Sequence, residues 1–94
     1  MDANWYQYAI AYSNRGAARS AQGDNEGAIA DYTRAIEINP QLANAYANRG
    51  VVRNALGDKA GAIVDFQRAA ELYQQQGQTQ QYQETLNRIQ QLRQ

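Results

Sequence analysis

The chain reads as an all-α protein, an array of antiparallel helix-turn-helix repeats with five helices. Three observations predict this. First, Ala9–Leu42 and Ala43–Gln76 align without a gap and carry the same residue in 18 of 34 columns. A repeat of that length marks stacked helical units, each too small to bury its own apolar face. Second, apolar residues recur at steps of three and four through both copies, the spacing of one helix face. Third, Gly23-Asp24 and Gly57-Asp58 fall at the same place in each copy. Each pair joins a helix stop to a helix start. The chain accordingly divides into residues 1–8, an extension of the first helix; 9–42 and 43–76, the two repeats; and 77–94, a C-terminal capping helix.

The elements follow in order. Asp2 or Asn4 is the expected cap of a first helix running to about Gln22. One row of that helix is Trp5, Tyr8, Ala9, Tyr12, Gly16 and Arg19, and a second is Tyr6, Ile10, Asn14 (with Ser13), Ala17 and Ala21. Two such rows predict that two faces meet partners. Gly23 ends the helix and Asp24 caps the next, about Asn25 to Ile38, whose inner face is Ala28, Ile29, Tyr32, Ala35 and Ile36. The short side chains of Ala28 and Ala35 let a neighbouring helix approach, and Gly16 offers the matching gap. Asn39-Pro40 stops the second helix, because proline has no N–H to donate and biases the residue before it away from helix. The third helix, about Leu42 to Leu56, carries Tyr46, Gly50, Val51 and Arg53. The fourth starts after Asp58 and carries Ala62, Ile63, Phe66, Ala69, Ala70, Leu72 and Tyr73. It lacks a breaker before Gly77, so it runs longer, to about Gln76. From Gln74 onward the chain holds ten of its fourteen glutamines. Apolar periodicity persists there at Tyr82, Leu86, Ile89 and Leu92, and glutamine forms helices well, so a fifth helix over Thr79 to Arg93 is expected.

Composition narrows the function. Nine basic residues balance nine acidic ones, and eight of the basic residues are arginines spread through the chain. This argues against a nucleic-acid surface, which needs a basic excess or stripe. There is no cysteine and no histidine, so disulfides, thiolate chemistry, the usual zinc ligands and the commonest general base are all missing. Ser13 and Ser20 have no histidine to activate them, and no glycine-rich phosphate loop is present. No apolar run approaches the roughly 20 residues of a membrane span. The opening residues lack the pattern of a signal peptide, which favours a soluble, cytoplasmic setting for this segment. A non-enzyme without cofactor or metal is expected.

The residues resemble a known family. Tyr12 and Tyr46, Gly16 and Gly50, Ala28 and Ala62, Tyr32 and Phe66, Ala35 and Ala69, with Pro40 at the close, fall where the tetratricopeptide repeat has its aromatic, small and closing positions. The resemblance covers residues 9–76, and the tail is similar to the capping helix of such arrays. It implies a short right-handed superhelix, an α-solenoid. The Tyr-x-Asn-Arg-Gly and Gly-Ala-Ile-x-Asp wording is similar to repeats of cyanobacterial and plastid proteins. Arg15 and Arg49 depart from the family's usual leucine, and Arg19 and Arg53 from its frequent tyrosine. This four-arginine ladder has two readings: ion pairs with Asp31, Asp65, Glu37 or Glu71, such as Arg53 with Asp65, or a hook for carboxylates and phosphates.

The resemblance implies protein–protein interaction through a concave face lined by the first helix of each pair. That places Tyr6, Ile10, Ser13, Asn14, Ala17 and Ala21 from the first copy in the groove, with Asn44, Ala47, Asn48, Val51 and Asn54 from the second. The ligand would be a protein or peptide. The carboxylate clamp that some members use against chaperone C-termini does not match, since Ser13 and Ala17 stand at its lysine and asparagine positions. The alternative is a self-association scaffold. Trp5, Tyr8 and Tyr12 crowd a helix that no earlier pair covers, which invites a second copy or a further repeat of a longer array.

Overall fold

The computed structural model describes residues 4–94. Five helices follow one another: α1 Asn4–Ala21, α2 Asn25–Ile38, α3 Ala43–Ala55, α4 Lys59–Gln75 and α5 Thr79–Arg93. Among the described residues there are no strands. The expected cap at Asp2 lies outside the described residues, as does the side chain of Asn4. Elsewhere four expected ends shift by one residue, and α2 and α5 keep the bounds expected of them. Gln22 and Gln76 belong to turns, and Leu42 and Leu56 flank α3 as cap residues.

The three tight junctions share one chemistry. Gly23, Gly57 and Gly77 have φ of 85°, 88° and 73°, the left-handed region that a side chain would strain. Their turns return hydrogen bonds into the preceding helix: Asp24 N–H to the Arg19 carbonyl at 2.8 Å, Asp58 N–H to Arg53 at 2.9 Å, Gln78 N–H to Tyr73 at 2.9 Å. These bonds satisfy carbonyls that the helix ends leave open. The Asp24 and Asp58 carboxylates then accept from the N–H groups of Gly27 and Gly61 at 3.0 and 2.9 Å. Gln78 makes no such side-chain bond, so α5 starts without a side-chain cap. The α2–α3 connection is different. Asn39 is extended, and its side-chain oxygen accepts from Gln41 N–H at 3.1 Å.

The helices pack as two hairpins, α1 with α2 and α3 with α4, and α5 lies on α4. Ala28, Tyr32 and Ala35 of α2 bury against Ala45 and Val52 of α3, joining the hairpins. Ala69, Leu72 and Tyr73 of α4 close on Ala43, and Ala62 with Phe66 close on Ile89 of α5. The glycine notches carry the close approach. A Cβ on Gly16 would stand 3.1 Å from the Tyr32 ring, and one on Gly50 3.1 Å from Phe66.

The buried stripe of α5 differs from expectation at one place. Leu86 is exposed, and Thr85 is buried instead. The stripe is Tyr82, Thr85, Ile89 and Leu92, stepping by three, four and three. The hydroxyl of Thr85 donates to the Gln81 carbonyl at 2.7 Å, so its burial leaves no orphaned donor.

Candidate functional site

The arginine ladder is held within the hairpins. Asp31 is buried and accepts two bonds from Arg15, at 2.8 Å to Nε and 2.8 Å to Nη2, with Arg19 Nη1 at 3.5 Å. Asp65 repeats this with Arg49 at 2.9 and 2.8 Å and Arg53 at 3.0 Å. Parallel N–H bonds from one guanidinium to one carboxylate are the strong geometry for this pair. The hydrogen bond from Arg15, above all, holds the Asp31 carboxyl below its ordinary range, against the opposing effect of burial. Each first-helix aromatic adds a face to the cluster, with Arg15 5.4 Å over Tyr12 and Arg49 5.5 Å over Tyr46. These four cations are therefore committed to fastening helix to helix.

Two clefts run between the first helices of the pairs and α5. Between α1 and α3 lies a cavity of 290 Å³, lined by Ala17, Ser20, Ala21, Asn48 and Val51 over Tyr32 and Val52. Between α3 and α5 lies one of 180 Å³, where Ala47, Asn48 and Val51 face Gln81, Glu84, Thr85 and Arg88 above Phe66 and Tyr73. A smaller continuation of 80 Å³ reaches Asn54, Gln91 and Leu92. Asn48 and Val51 line both larger clefts and so sit at their junction.

The structure brings together Ala17, Ala47, Asn48, Val51 and Asn54 of the expected groove, with Ala21. Tyr6, Ile10, Asn14 and Asn44 are exposed but line none of these three cavities. Ser13 is a correction. It is 8% exposed and offers no floor to a ligand. Its counterpart Ala47 packs against the Leu72–Tyr73 and Phe66–Ile89 clusters, so this helical position faces mostly inward. Of the aromatics expected at a self-association face, Trp5 and Tyr8 are exposed and Tyr12 is half-buried against the α2 cluster. Trp5 Nε1 also donates to the Ile38 carbonyl at 2.9 Å.

Ser20 and the α5 residues Gln81, Glu84, Arg88 and Gln91 were not foreseen in the groove. A sequence cue existed. The α5 residues step by three and four beside the buried stripe of a helix that occupies the place of a third first helix. Arg88 stands 5.9 Å over the Phe66 ring, and among the described residues no carboxylate lies within ion-pair distance of it. Glu84, one turn earlier, accepts instead from Gln80 at 3.1 Å. Among the described residues, no three of Asp, Glu, His and Cys gather as metal ligands, and no helix is long and apolar enough to cross a membrane.

Comparison with known proteins agrees with this fold. Family profiles described as "TPR repeat" and "Tetratricopeptide repeat" match residues 16–57, 43–76 and 66–92. Among solved structures, the N-terminal domain of stress-induced protein-1 (STI-1) from C. elegans superposes with a TM-score of 0.74 at 28% identity, over 81% of this chain. The crystal structure of MamA superposes with a TM-score of 0.67 at 20% identity, over 94% of this chain, and shares the fold. The chain spans 59% and 60% of the length of those two chains. No curated protein matches the sequence.

Proposed function

The chain belongs to the tetratricopeptide repeat family, whose repeats serve as protein–protein interaction modules, and from that premise we propose that the groove along α1, α3 and α5 binds an extended segment of a partner protein, without catalysis. The observation that carries this is the paired cleft meeting at Asn48 and Val51. Its chemistry suits a peptide. Asn48, Asn54, Gln81 and Gln91 offer both donors and acceptors to a peptide backbone. Val51 and Ala17 leave shallow apolar room for side chains, and the Arg88 guanidinium adds one cation. The paired arginines contribute rigidity, since a floor held by buried ion pairs loses little freedom when a ligand settles. The groove is short, so affinity is modest, in the range of small transient interfaces.

The test is selection of peptides from a displayed library on the full chain, followed by anisotropy titration of a recovered peptide. Asn48→Ala and Val51→Glu should each weaken it by about tenfold, the effect of roughly 1.4 kcal/mol. Trp5→Ala, on the far side of α1, should leave it unchanged. Retained affinity in both groove variants, with loss in Trp5→Ala, would move the binding surface to the aromatic end and refute the groove.

A further inference from the structure

The arginines of this chain are mostly fastened to carboxylates, and Arg88 departs from that rule inside the groove. Arg15, Arg19, Arg34, Arg49, Arg53 and Arg68 all stand in ion pairs. Arg88 lines the α3–α5 cleft and its continuation toward Asn54, and among the described residues it has no ion pair. Glu84 stands one helical turn before it and lines the same cleft. Glutamate four residues ahead of a cation is the favourable order for an ion pair along a helix. The pair is nonetheless open. Arg88 lies over the Phe66 ring at 5.9 Å, and Glu84 accepts from the Gln80 amide at 3.1 Å. The facing wall, Ala47, Asn48 and Val51 of α3, carries no charge. The cleft therefore presents one negative and one positive group, both exposed and neither in an ion pair among the described residues.

We propose that Glu84 and Arg88 select the bound segment of the partner protein by charge, taking a lysine or arginine against Glu84 and an aspartate or glutamate against Arg88, two residues apart in an extended stretch of that partner. This rests on the groove reading above and adds the class of ligand sequence to it. The spacing follows from the two backbones. Four residues of helix separate Glu84 from Arg88 by about 6 Å of rise. Two residues of extended chain advance about 6.6 Å and return to the same face. Alternate side chains of a segment lying along α5 therefore meet both groups. The residue between them points to α3, where Ala47 and Val51 leave room for a small apolar side chain. The Phe66 face steadies the Arg88 guanidinium without using its N–H groups, which suit a carboxylate. A segment with its charges in the wrong order meets like charge at both places and is rejected.

The test is selection of linear peptides from a random displayed library on the full chain and on the variant Glu84→Arg/Arg88→Glu, which changes two exposed positions only. The parent should enrich peptides with opposite charges two positions apart, and the exchanged variant should enrich the reverse order. For one recovered peptide, exchanging its own two charges should weaken binding to the parent by about tenfold and restore binding to the exchanged variant. The neutral variant Glu84→Gln/Arg88→Gln should bind both peptides alike, and it decides the matter if circular dichroism shows the exchanged variant misfolded. The same pool on all three proteins, weakened by Asn48→Ala, would overturn the charge selection and leave the groove standing. Dependence on Arg88 alone would also overturn it, since Glu84 would then take no part. A pool indifferent to Asn48→Ala, Val51→Glu and the exchange, or a library that yields no binder, would remove the groove and the charge selection together.

Discussion

At the scale of single residues, the two aspartates do the same work in different surroundings. Asp31 and Asp65 are both buried, but Arg15 faces solvent on its outer side and Arg49 does not. Removing one partner of a buried pair leaves the other charge uncompensated, whereas an exposed guanidinium regains water. Asp65→Ala should therefore cost about 3 kcal/mol, and Asp31→Ala distinctly less, in urea unfolding monitored by circular dichroism. Equal losses would show that exposure of the arginine does not set the cost. The pH dependence follows from the depressed Asp31 carboxyl. A group with a lowered pKa in the fold stabilises above its unfolded value, here near 3.8, and loses that contribution as pH falls through the folded value. Stability should begin to fall below about pH 4, and Asp31→Asn should flatten that part of the profile.

At the scale of elements, the glycine notches separate what helix propensity favours from what packing permits. Alanine in place of a helical glycine gains about 1 kcal/mol from the backbone. At Gly16 the three atoms nearest the added methyl all belong to the Tyr32 ring. At Gly50 it meets the Phe66 ring and also the Ala62 carbonyl at 3.2 Å, which belongs to the backbone of α4 and yields little. Gly16→Ala should fall near neutral, and Gly50→Ala should destabilise by about 1–2 kcal/mol, read as a difference in thermal midpoint. A Gly50→Ala variant as stable as the parent would mean that α3 and α4 separate more easily than their packing indicates. The fifth helix illustrates the limit of pattern reading. Leu86 and Thr85 are adjacent, and periodicity alone prefers the leucine. Packed on α4, α5 buries Thr85 instead, and the bond to the Gln81 carbonyl satisfies the hydroxyl there.

At the scale of the whole molecule, stability passes from neighbour to neighbour. The interior helices α2, α3 and α4 each touch helices on two sides, while α1 rests mainly on α2 and α5 on α4. In α5 only Thr85 and Ile89 are buried. A stack of this kind loosens first at its weakest end. Amide exchange in the native state should be slowest in the interior helices α2 to α4, with α5 at least about tenfold faster. Uniform protection across all five helices would show a single cooperative unit instead. The same asymmetry bears on the groove, whose far wall is α5. A binding segment that spans α3 and α5 should slow exchange in α5 most.

The helices, their order and, to within a residue, their ends were legible in the sequence, because the determinants are local. Period, glycine stops, aspartate caps and Pro40 act within a few residues of where they stand. It also made the arginine–aspartate pairing legible, since opposite charges recur at the same place in both copies. Which surfaces are filled was set by the packing of distant helices. Ser13 lies on a first-helix row that reads as groove lining, yet it is buried. Ala11 and Ala45 are the same residue in the same local wording, yet one is open and the other covered. Burial depends on which helix arrives from elsewhere in the stack, and no window of sequence contains that neighbour.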